Sequence, residues 1–92
     1  MKEQTIQTKI MAYLIKLGAY SVKTIVTNTS GTPDVLCCFK GHFLAIEVKK
    51  PGGIVSELQK HHLKKIKEAG GIGIIAYGID EVQEALKEAE LI

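Results

Sequence analysis

The sequence predicts an α/β fold with a mixed central sheet, and three observations lead to that class. Apolar residues recur at helical spacing at the start of the chain and again in two later segments. Four shorter segments alternate or run continuously apolar, as strands do. The resulting order, α-β-β-β-α-β-α, predicts a meander of three antiparallel strands followed by a parallel crossover. With 92 residues, the chain has room for one domain, residues 1–92.

The first predicted helix covers residues 3–17. Its apolar residues fall on one stripe, and Gly18 follows as the residue that ends the helix. Over residues 20–27, β-branched side chains alternate with polar ones, which indicates a strand. Polar residues and a proline over 28–33 then indicate a loop.

Two strands of a hairpin are predicted next, over residues 35–39 and 42–49. The two residues between them, Lys40 and Gly41, are taken as the turn. Facing positions in this register have numbers that sum to 81, because residue 39 then faces residue 42. A longer turn would shift the pairing.

Three charged side chains meet at the open end of this predicted hairpin. The register places Asp34 opposite Glu47, and Lys49 shares the face of Glu47. Facing carboxylates repel each other unless a divalent cation lies between them, and Mg²⁺ prefers carboxylates, waters and substrate phosphates as ligands. A lysine beside the metal would position a water or stabilise charge on a phosphate. The alternative is a turn aspartate beside a solvated Glu–Lys pair.

The second half of the chain predicts a helix, a strand and a last helix. Ser56 and Gln59 form an S-x-x-Q capping box that starts a helix running to about Ala69. Residues 72–77 form a continuous apolar run, as expected of a strand covered on both faces. Asp80 is predicted to cap the last helix, with three residues facing inward: Val82, Leu86 and Ala89.

Two further polar residues bear on the same site, and each has two interpretations. Glu3 lies three residues before Ile6, so it extends the apolar stripe and would need a cation there, or it complements the helix dipole. Gln59 either points back toward Glu47 or serves only the capping box with Ser56.

Charge is distributed unevenly along the chain. Residues 40–67 hold seven lysines and two acids, a net of +5, whereas residues 80–92 hold five acids and one lysine, a net of −4. There is no arginine, so any nucleic acid would be bound through its phosphates and shape rather than by guanine readout. The alternative for these lysines is a solvated helix face. The predicted nucleic-acid contacts are Lys50, Lys60, Lys64 and Ser30.

Several classes of protein are disfavoured. No apolar run approaches the ~20 residues of a membrane span, and the polar start shows no signal-peptide pattern. Cys37 and Cys38 are adjacent on a strand, where side chains point to opposite faces, so we expect free thiols and an intracellular, reducing environment. No phosphate-binding glycine motif supports a small-molecule phosphate enzyme.

Four segments together resemble the PD-(D/E)xK nuclease superfamily. More narrowly, the chain resembles a stand-alone VRR-NUC (virus-type replication-repair nuclease) domain, a group similar to archaeal Holliday-junction resolvases. The resemblance spans nearly the whole chain and implies a restriction-endonuclease-like αβββαβ core with an added C-terminal helix. The segments are Glu3, Gly31-Thr32-Pro33-Asp34, Glu47-Val48-Lys49 and Ser56-Glu57-Leu58-Gln59.

The resemblance also implies a site and an activity. Asp34, Glu47 and the Val48 carbonyl would hold Mg²⁺ or Mn²⁺, with Glu3 as a further candidate ligand. Lys49 would position the attacking water, and Gln59 would support it or contact the phosphate.

Under the same resemblance, the protein would be a homodimeric, structure-selective endonuclease. It would cut branched DNA such as a four-way junction and leave a 5′-phosphate. Its setting would be the cytoplasm of a bacterial or virus-infected cell, or the nucleoid. The alternative is a DNA-binding or partner-binding module without catalysis.

Overall fold

The computed structural model describes all 92 residues and contains seven elements in the predicted order. The four strands form one sheet with the order β1-β2-β3-β4, in which β1, β2 and β3 are antiparallel and β4 is parallel to β3. The meander and the parallel connection are therefore confirmed. The elements are α1 Glu3–Lys16, β1 Tyr20–Lys23, β2 Val35–Phe39, β3 His42–Val48, α2 Glu57–Glu68, β4 Ile72–Ala76 and α3 Ile79–Glu88.

One face of the sheet carries the main core. α1 ends where the sequence predicts, with Gly18 at a φ of 87° that side chains disfavour. The apolar stripe of α1 and the buried residues of α3 pack on alternate residues of β2, β3 and β4. The fully buried members include Ile10, Leu14, Val35, Leu44, Ile46, Val48, Val82 and Leu86.

The opposite face of the sheet is only half covered. α2 packs on β3 and β4, where Gly73 leaves room for Leu63. The β1–β2 half of that face has no helix over it, and apolar residues line a hollow of about 220 Å³ there. No helix of this structure is both long and apolar enough to cross a bilayer.

The β2–β3 hairpin has the predicted turn and register. Lys40 and Gly41 both have positive φ, 51° and 80°, as a two-residue hairpin turn requires. Phe39 faces His42, and the pairing continues without a slip to the start of β2. The residue numbers of every pair in this ladder sum to 81, so the predicted alignment of the charged residues beyond the ladder is retained.

The prediction of a strand over residues 20–27 is wrong in its second half. β1 ends at Lys23. The next N–H, that of Thr24, donates to the Asp34 carbonyl at 2.8 Å, and the Thr24 hydroxyl donates to the Pro33 carbonyl at 2.8 Å. A strand needs a partner beyond its own propensity, and proline has no N–H with which to extend the ladder.

The start of α3 also differs from the prediction. Gly78 is the N-cap and the helix begins at Ile79, so Asp80 lies in the first turn instead of capping it. The Glu81 carboxylate reaches back and accepts a hydrogen bond from the Tyr77 N–H at 2.8 Å. A carboxylate inside the first turn thus satisfies a backbone donor at the helix start, which the sequence pattern assigned to Asp80.

Burial at the end of the chain is mostly as predicted. Val82 and Leu86 are fully buried, but Ala89 is exposed because it is the C-cap of α3. β4 ends at Ala76 rather than residue 77, and it has helices on both faces. Ile75 is nevertheless exposed, because β4 is an edge strand and α2 covers it incompletely.

Candidate active site

Asp34, Glu47 and Lys49 come together at the open end of the β2–β3 hairpin. Asp34 directly precedes β2, and the register places it opposite Glu47, near the end of β3. Glu47 is only 2% exposed. The Lys49 ammonium lies 3.9 Å from Glu47 Oε2. Two carboxylates and one ammonium therefore share a small, largely dry volume.

Gln59 fulfils both of the roles that the sequence offered as alternatives. Its Oε1 accepts a hydrogen bond from the Ser56 N–H at 2.9 Å, and the Ser56 hydroxyl accepts one from the Gln59 N–H at 3.1 Å, which completes the capping box. Its Nε2 donates to Glu47 Oε2 at 3.2 Å. One side chain therefore links the first turn of α2 to the buried carboxylate.

Glu47 is poorly compensated by the protein's own groups. Its Oε1 is buried without a hydrogen-bond partner. Burial, followed by the negative charge of Asp34, raises the pKa of Glu47 from 4.5 to about 8, although Lys49 opposes the shift. A buried carboxyl in this state gains from any cation that reaches its free oxygen.

A proline explains why a backbone oxygen is available at the same point. Two positions beyond the Val35–Ile46 pair, the register sets Pro33 opposite Val48. The Val48 N–H donates to Asp34 Oδ2 at 2.8 Å instead of to β2. Within a strand, the N–H and C=O of one residue point to the same side. Since proline has no N–H, β2 offers the Val48 carbonyl no donor.

These oxygens suit a hard divalent cation. Asp34, Glu47 and the Val48 carbonyl provide the oxygen ligands that Mg²⁺ prefers, and Mg²⁺ keeps several waters besides. The structure contains no group of three or more His, Cys, Asp or Glu side chains that could hold a metal. In the arrangement shown, a cation here would be held by two carboxylates, backbone oxygen and water, and Glu3 would have to approach to add a third carboxylate.

In α1, Glu3 acts on this site through its charge, and Gln7 is buried one turn later on the same helix. Glu3 is half-buried, and its charge contributes to the raised pKa of Glu47, although it forms no three-carboxylate group with Glu47 and Asp34. Gln7, one turn later, is 9% exposed and its Oε1 has no partner. Sequence reasoning missed Gln7. A polar residue between the buried Ile6 and Ile10 was the signal that it occupies a special position.

The loop of residues 24–33 forms one wall of an open cleft of about 510 Å³. Asp34 and Gln59 line the same cleft. The loop is attached to α2, because the Ser30 carbonyl lies 2.8 Å from His62 Nε2 and Gly31 lies against Leu58. The side chain of Ser30, a predicted nucleic-acid contact, is exposed on this wall.

The predicted lysine contacts lie on the surface around the site. Lys50 is exposed and lines a second hollow with Glu3. Lys60 and Lys64 lie with Lys67 along one groove of α2. Lys60 contacts Glu57 at 3.3 Å, an exposed pair of the kind that contributes little to stability. These lysines are exposed positive charges, and none of them belongs to the lining of the cleft itself.

Comparison with known proteins identifies relatives of this fold. The family model described as VRR-NUC domain matches residues 1–80. A solved structure titled VRR_NUC domain is 22% identical, covers 94% of each chain and has a TM-score of 0.78. Another, titled VRR_NUC domain protein, is 22% identical over 95% of this chain and 89% of its own, with a TM-score of 0.74.

A third solved structure is Hjc of Archaeoglobus fulgidus, a Holliday junction resolvase from an archaeal hyperthermophile. It is 20% identical, covers 79% of this chain and 65% of its own, and has a TM-score of 0.62. No curated protein matches the sequence. The fold is the restriction-endonuclease-like fold that the resemblance implied, with three helices around a mixed four-stranded sheet.

Proposed function

Because the chain belongs to the VRR-NUC domain family, we propose that it is a metal-dependent, structure-selective DNA endonuclease. The observation that supports this most is the buried Glu47, whose free oxygen faces a site shared with Asp34 and Lys49. The structural contacts of this group leave one Glu47 oxygen without a partner, whereas two carboxylates beside an ammonium suit metal-assisted hydrolysis of a phosphodiester. The alternative is a nuclease fold that binds DNA or a partner without cutting.

In this proposal, Asp34, Glu47 and the Val48 carbonyl hold Mg²⁺ or Mn²⁺, with Glu3 as a further candidate. The metal would supply positive charge that acidifies a bound water and stabilises the charge on the phosphate. Lys49 orients the attacking water and stabilises developing negative charge nearby. Gln59 fixes the orientation of the Glu47 carboxylate through its Nε2, and contact with the phosphate is its second proposed role. The products are a 5′-phosphate and a 3′-hydroxyl.

The proposed substrate is branched DNA, including the four-way junction. The lysines, Lys50, Lys60 and Lys64, with Ser30, supply contacts to the phosphate backbone, and the absence of arginine argues against readout of guanine. Hjc, a structural neighbour, is by its title a Holliday junction resolvase. Its likeness to this chain supports the proposal through the shared fold.

The proposed assembly is a homodimer, located inside the cell. A second copy would cover the β1–β2 half of the sheet, where Tyr20, Val22 and Phe43 are exposed around the apolar hollow. Two copies would supply the paired sites that symmetric cuts need. Both thiols, Cys37 and Cys38, are free, as in a reducing compartment.

Cleavage assays test the proposed function directly. Purified protein is incubated with labelled four-way junction, flap, duplex and single-stranded DNA in Mg²⁺, Mn²⁺ or EDTA. We expect cleavage of branched DNA with either metal and none in EDTA. Glu47→Ala and Lys49→Ala should lose at least about 100-fold in rate, the lower range for removal of a group that stabilises charge in a transition state.

Matched variants far from the site serve as controls. Glu84→Ala on α3 and Lys16→Ala on α1 remove the same charges from exposed positions and should cut at the wild-type rate. Wild-type rates in the Glu47 and Lys49 variants would refute the catalytic assignment. Tight binding of branched DNA without cleavage under any metal would favour the binding module.

A further inference from the structure

Two adjacent apolar side chains stand in solvent at the mouth of the candidate active site. Ile25 is 80% exposed and Val26 is 88% exposed, in a loop that otherwise consists of Thr, Asn, Ser, Gly and Pro. Both residues line the same cleft as Asp34 and Gln59. Binding residues are found disproportionately on loops, and this pair has little packing within its own chain, because each residue is at least 80% exposed. Its position on the cleft points to a ligand with apolar surface.

The loop holds this pair in place. At its base, the Thr24 N–H and hydroxyl donate to the carbonyls of Asp34 and Pro33. Inside the loop, the Thr27 hydroxyl donates to the Thr29 carbonyl at 2.6 Å and lies 3.1 Å from the Thr32 hydroxyl. On the other side of the loop, the Ser30 carbonyl meets His62. Ile25 and Val26 are thus presented by a braced segment beside the carboxylates.

From this placement we infer that Ile25 and Val26 bind an unstacked base of the DNA whose phosphate enters the cleft. The inference rests on the proposed function and deepens it, because it assigns the preference for branched DNA to named residues. In a continuous duplex the bases are stacked and cannot reach the pair without disruption. At a branch point the continuous stack is interrupted, so a base beside it is extruded at lower cost than a base inside a duplex, and a single-stranded base is extruded at the lowest cost.

The chemistry of the pair suits that role. Aliphatic side chains are used as wedges between base steps, because they offer apolar surface to a base without needing hydrogen bonds. Both Ile and Val are β-branched and stiff at χ1, so they lose little freedom on contact. No aromatic residue lines the cleft to serve as a stacking platform instead.

Other residues near the site do not account for selectivity toward a DNA structure. Lys60 and Lys64 would contact phosphates, and phosphates are present on duplex and branched DNA alike. The chain has no arginine with which to read base edges. Ile25 and Val26 are the residues on the cleft wall that distinguish an exposed base from a stacked one.

Binding in EDTA tests the inference without requiring catalysis. The DNA is a four-way junction with 2-aminopurine beside the branch point, and the matched duplex carries the same label. Wild-type protein should raise the fluorescence of the junction but not that of the duplex. The double variant Ile25→Ser/Val26→Ser should lose this rise, and its preference for junction over duplex should fall roughly tenfold, near the lower end of what base stacking on a side chain contributes. Duplex affinity should be unchanged.

Two further variants and one check of the fold make the result interpretable. Ile15→Ser removes an apolar side chain that is 64% exposed on α1, away from the cleft, and should bind like the wild type. Ile25→Leu/Val26→Leu keeps apolar surface and should retain the fluorescence rise. Circular dichroism of the double serine variant checks that the fold is intact.

The inference fails if the double serine variant keeps the junction preference, or if the wild type shows neither preference nor fluorescence rise. An equal loss of affinity for junction and duplex would also overturn it, since that result reports phosphate contact. A dimer that dissociates on the serine changes would identify the pair as a protein interface instead. Base unstacking by a protein that never cuts DNA would refute the proposed nuclease function while leaving the inference standing.

Discussion

At the scale of single residues, Glu47 is a buried carboxyl whose surroundings disfavour its ionised form. Its carboxyl is buried, one oxygen has no partner, and the nearest acid is the facing Asp34. Buried polar atoms without partners are rare and costly, and they cluster at functional positions. Lys49 and Gln59 compensate only one of the two oxygens.

The raised pKa of Glu47 predicts how the stability of the fold depends on pH. The folded pKa of Glu47 is about 8 against 4.5 in a free side chain, so the folded chain binds more protons between these values. The free energy of unfolding in EDTA should therefore fall as pH rises from about 4.5 to 8. Glu47→Gln should abolish most of that fall and stabilise the protein at pH 8 by roughly 1–3 kcal/mol. Urea unfolding at pH 5 and pH 8 measures both quantities.

A matched substitution separates this effect from a general change in charge. Glu84→Gln removes a carboxylate that is exposed on α3 and should leave the pH dependence of the wild type intact. The same fall in stability for wild type and Glu47→Gln would mean that another group controls this pH range.

The sequence anticipated the residues of the site better than their connections. Asp34, Glu47 and Lys49 followed from a period of two and a two-residue turn, because register converts spacing directly into position. The sequence did not show that Gln59 hydrogen-bonds both Ser56 and Glu47. A capping box uses only the oxygen of the glutamine side chain, so it does not determine the partner of the amide nitrogen. Gln7 was missed because a periodic apolar stripe hides the one polar residue within it.

At the scale of elements, the loop of residues 24–33 is the part that the sequence placed least well. Its first residues have high strand propensity, yet they leave the sheet after Lys23. Propensity is local, whereas a strand requires a neighbour with free donors and acceptors. That neighbour stops at Val35, next to Pro33. By contrast, α1 and α2 have strong end signals, Gly18 and Ser56, and their positions were predicted closely.

The close approach of Gly31 to Leu58 leads to a prediction about the packing of this loop against α2. Its φ is 80°, and an added Cβ would lie 2.7 Å from Leu58 Cγ. Gly31→Ala should therefore destabilise the protein by roughly 1–3 kcal/mol, the sum of backbone strain and displaced packing. Urea unfolding gives the free energy, and the cleavage rate should fall as the loop shifts.

Gly41 provides the control for Gly31. It has the same φ of 80° but open space around its Cα, so Gly41→Ala reports the backbone strain alone. We expect Gly31→Ala to lower the free energy of unfolding more than Gly41→Ala does. The difference between the two variants should shrink when Leu58 is also replaced by alanine. An equal loss of free energy for Gly31→Ala, for Gly41→Ala and for Gly31→Ala in the Leu58→Ala background would show that the loop is not tightly packed against α2.

At the scale of the whole molecule, charge and apolar surface are separated. Lysines of α2 line a groove of that helix, acids concentrate in α3, and the β1–β2 half of the sheet is apolar. The uneven charge was visible in the sequence, because it depends on composition alone. The uncovered apolar half of the sheet was not visible in the sequence, because it depends on which strands α2 covers.

The lysine groove predicts the salt dependence of DNA binding. Lys60→Gln/Lys64→Gln should weaken binding to all sequences and reduce the slope of log affinity against log salt by about 2, for two lost phosphate contacts. Lys9→Gln/Lys16→Gln makes the same change in net charge on α1 and should leave the slope nearly unchanged. Equal slopes for the two double variants would exclude α2 as the phosphate-binding surface.

The uncovered half of the sheet predicts the oligomeric state. Light scattering should give twice the chain mass of 10.0 kDa for the wild type. Tyr20→Glu places a charge in the centre of the proposed interface and should give the monomer mass. Ile15→Glu, on exposed α1 surface, should remain dimeric. A wild-type monomer at all accessible concentrations would contradict the proposed assembly.

Gln59 is shared by the capping box of α2 and by Glu47. Binding at the site and opening of the start of α2 should therefore affect each other. The Gln59 side chain that donates to Glu47 also accepts the Ser56 N–H, and the Ser56 hydroxyl of the same capping box accepts the Gln59 N–H. Occupancy of the site and fraying of the helix end are then thermodynamically linked. Slower hydrogen exchange at Ser56 and Gln59 would thus signal an occupied site from a helix terminus, with no substrate and no turnover.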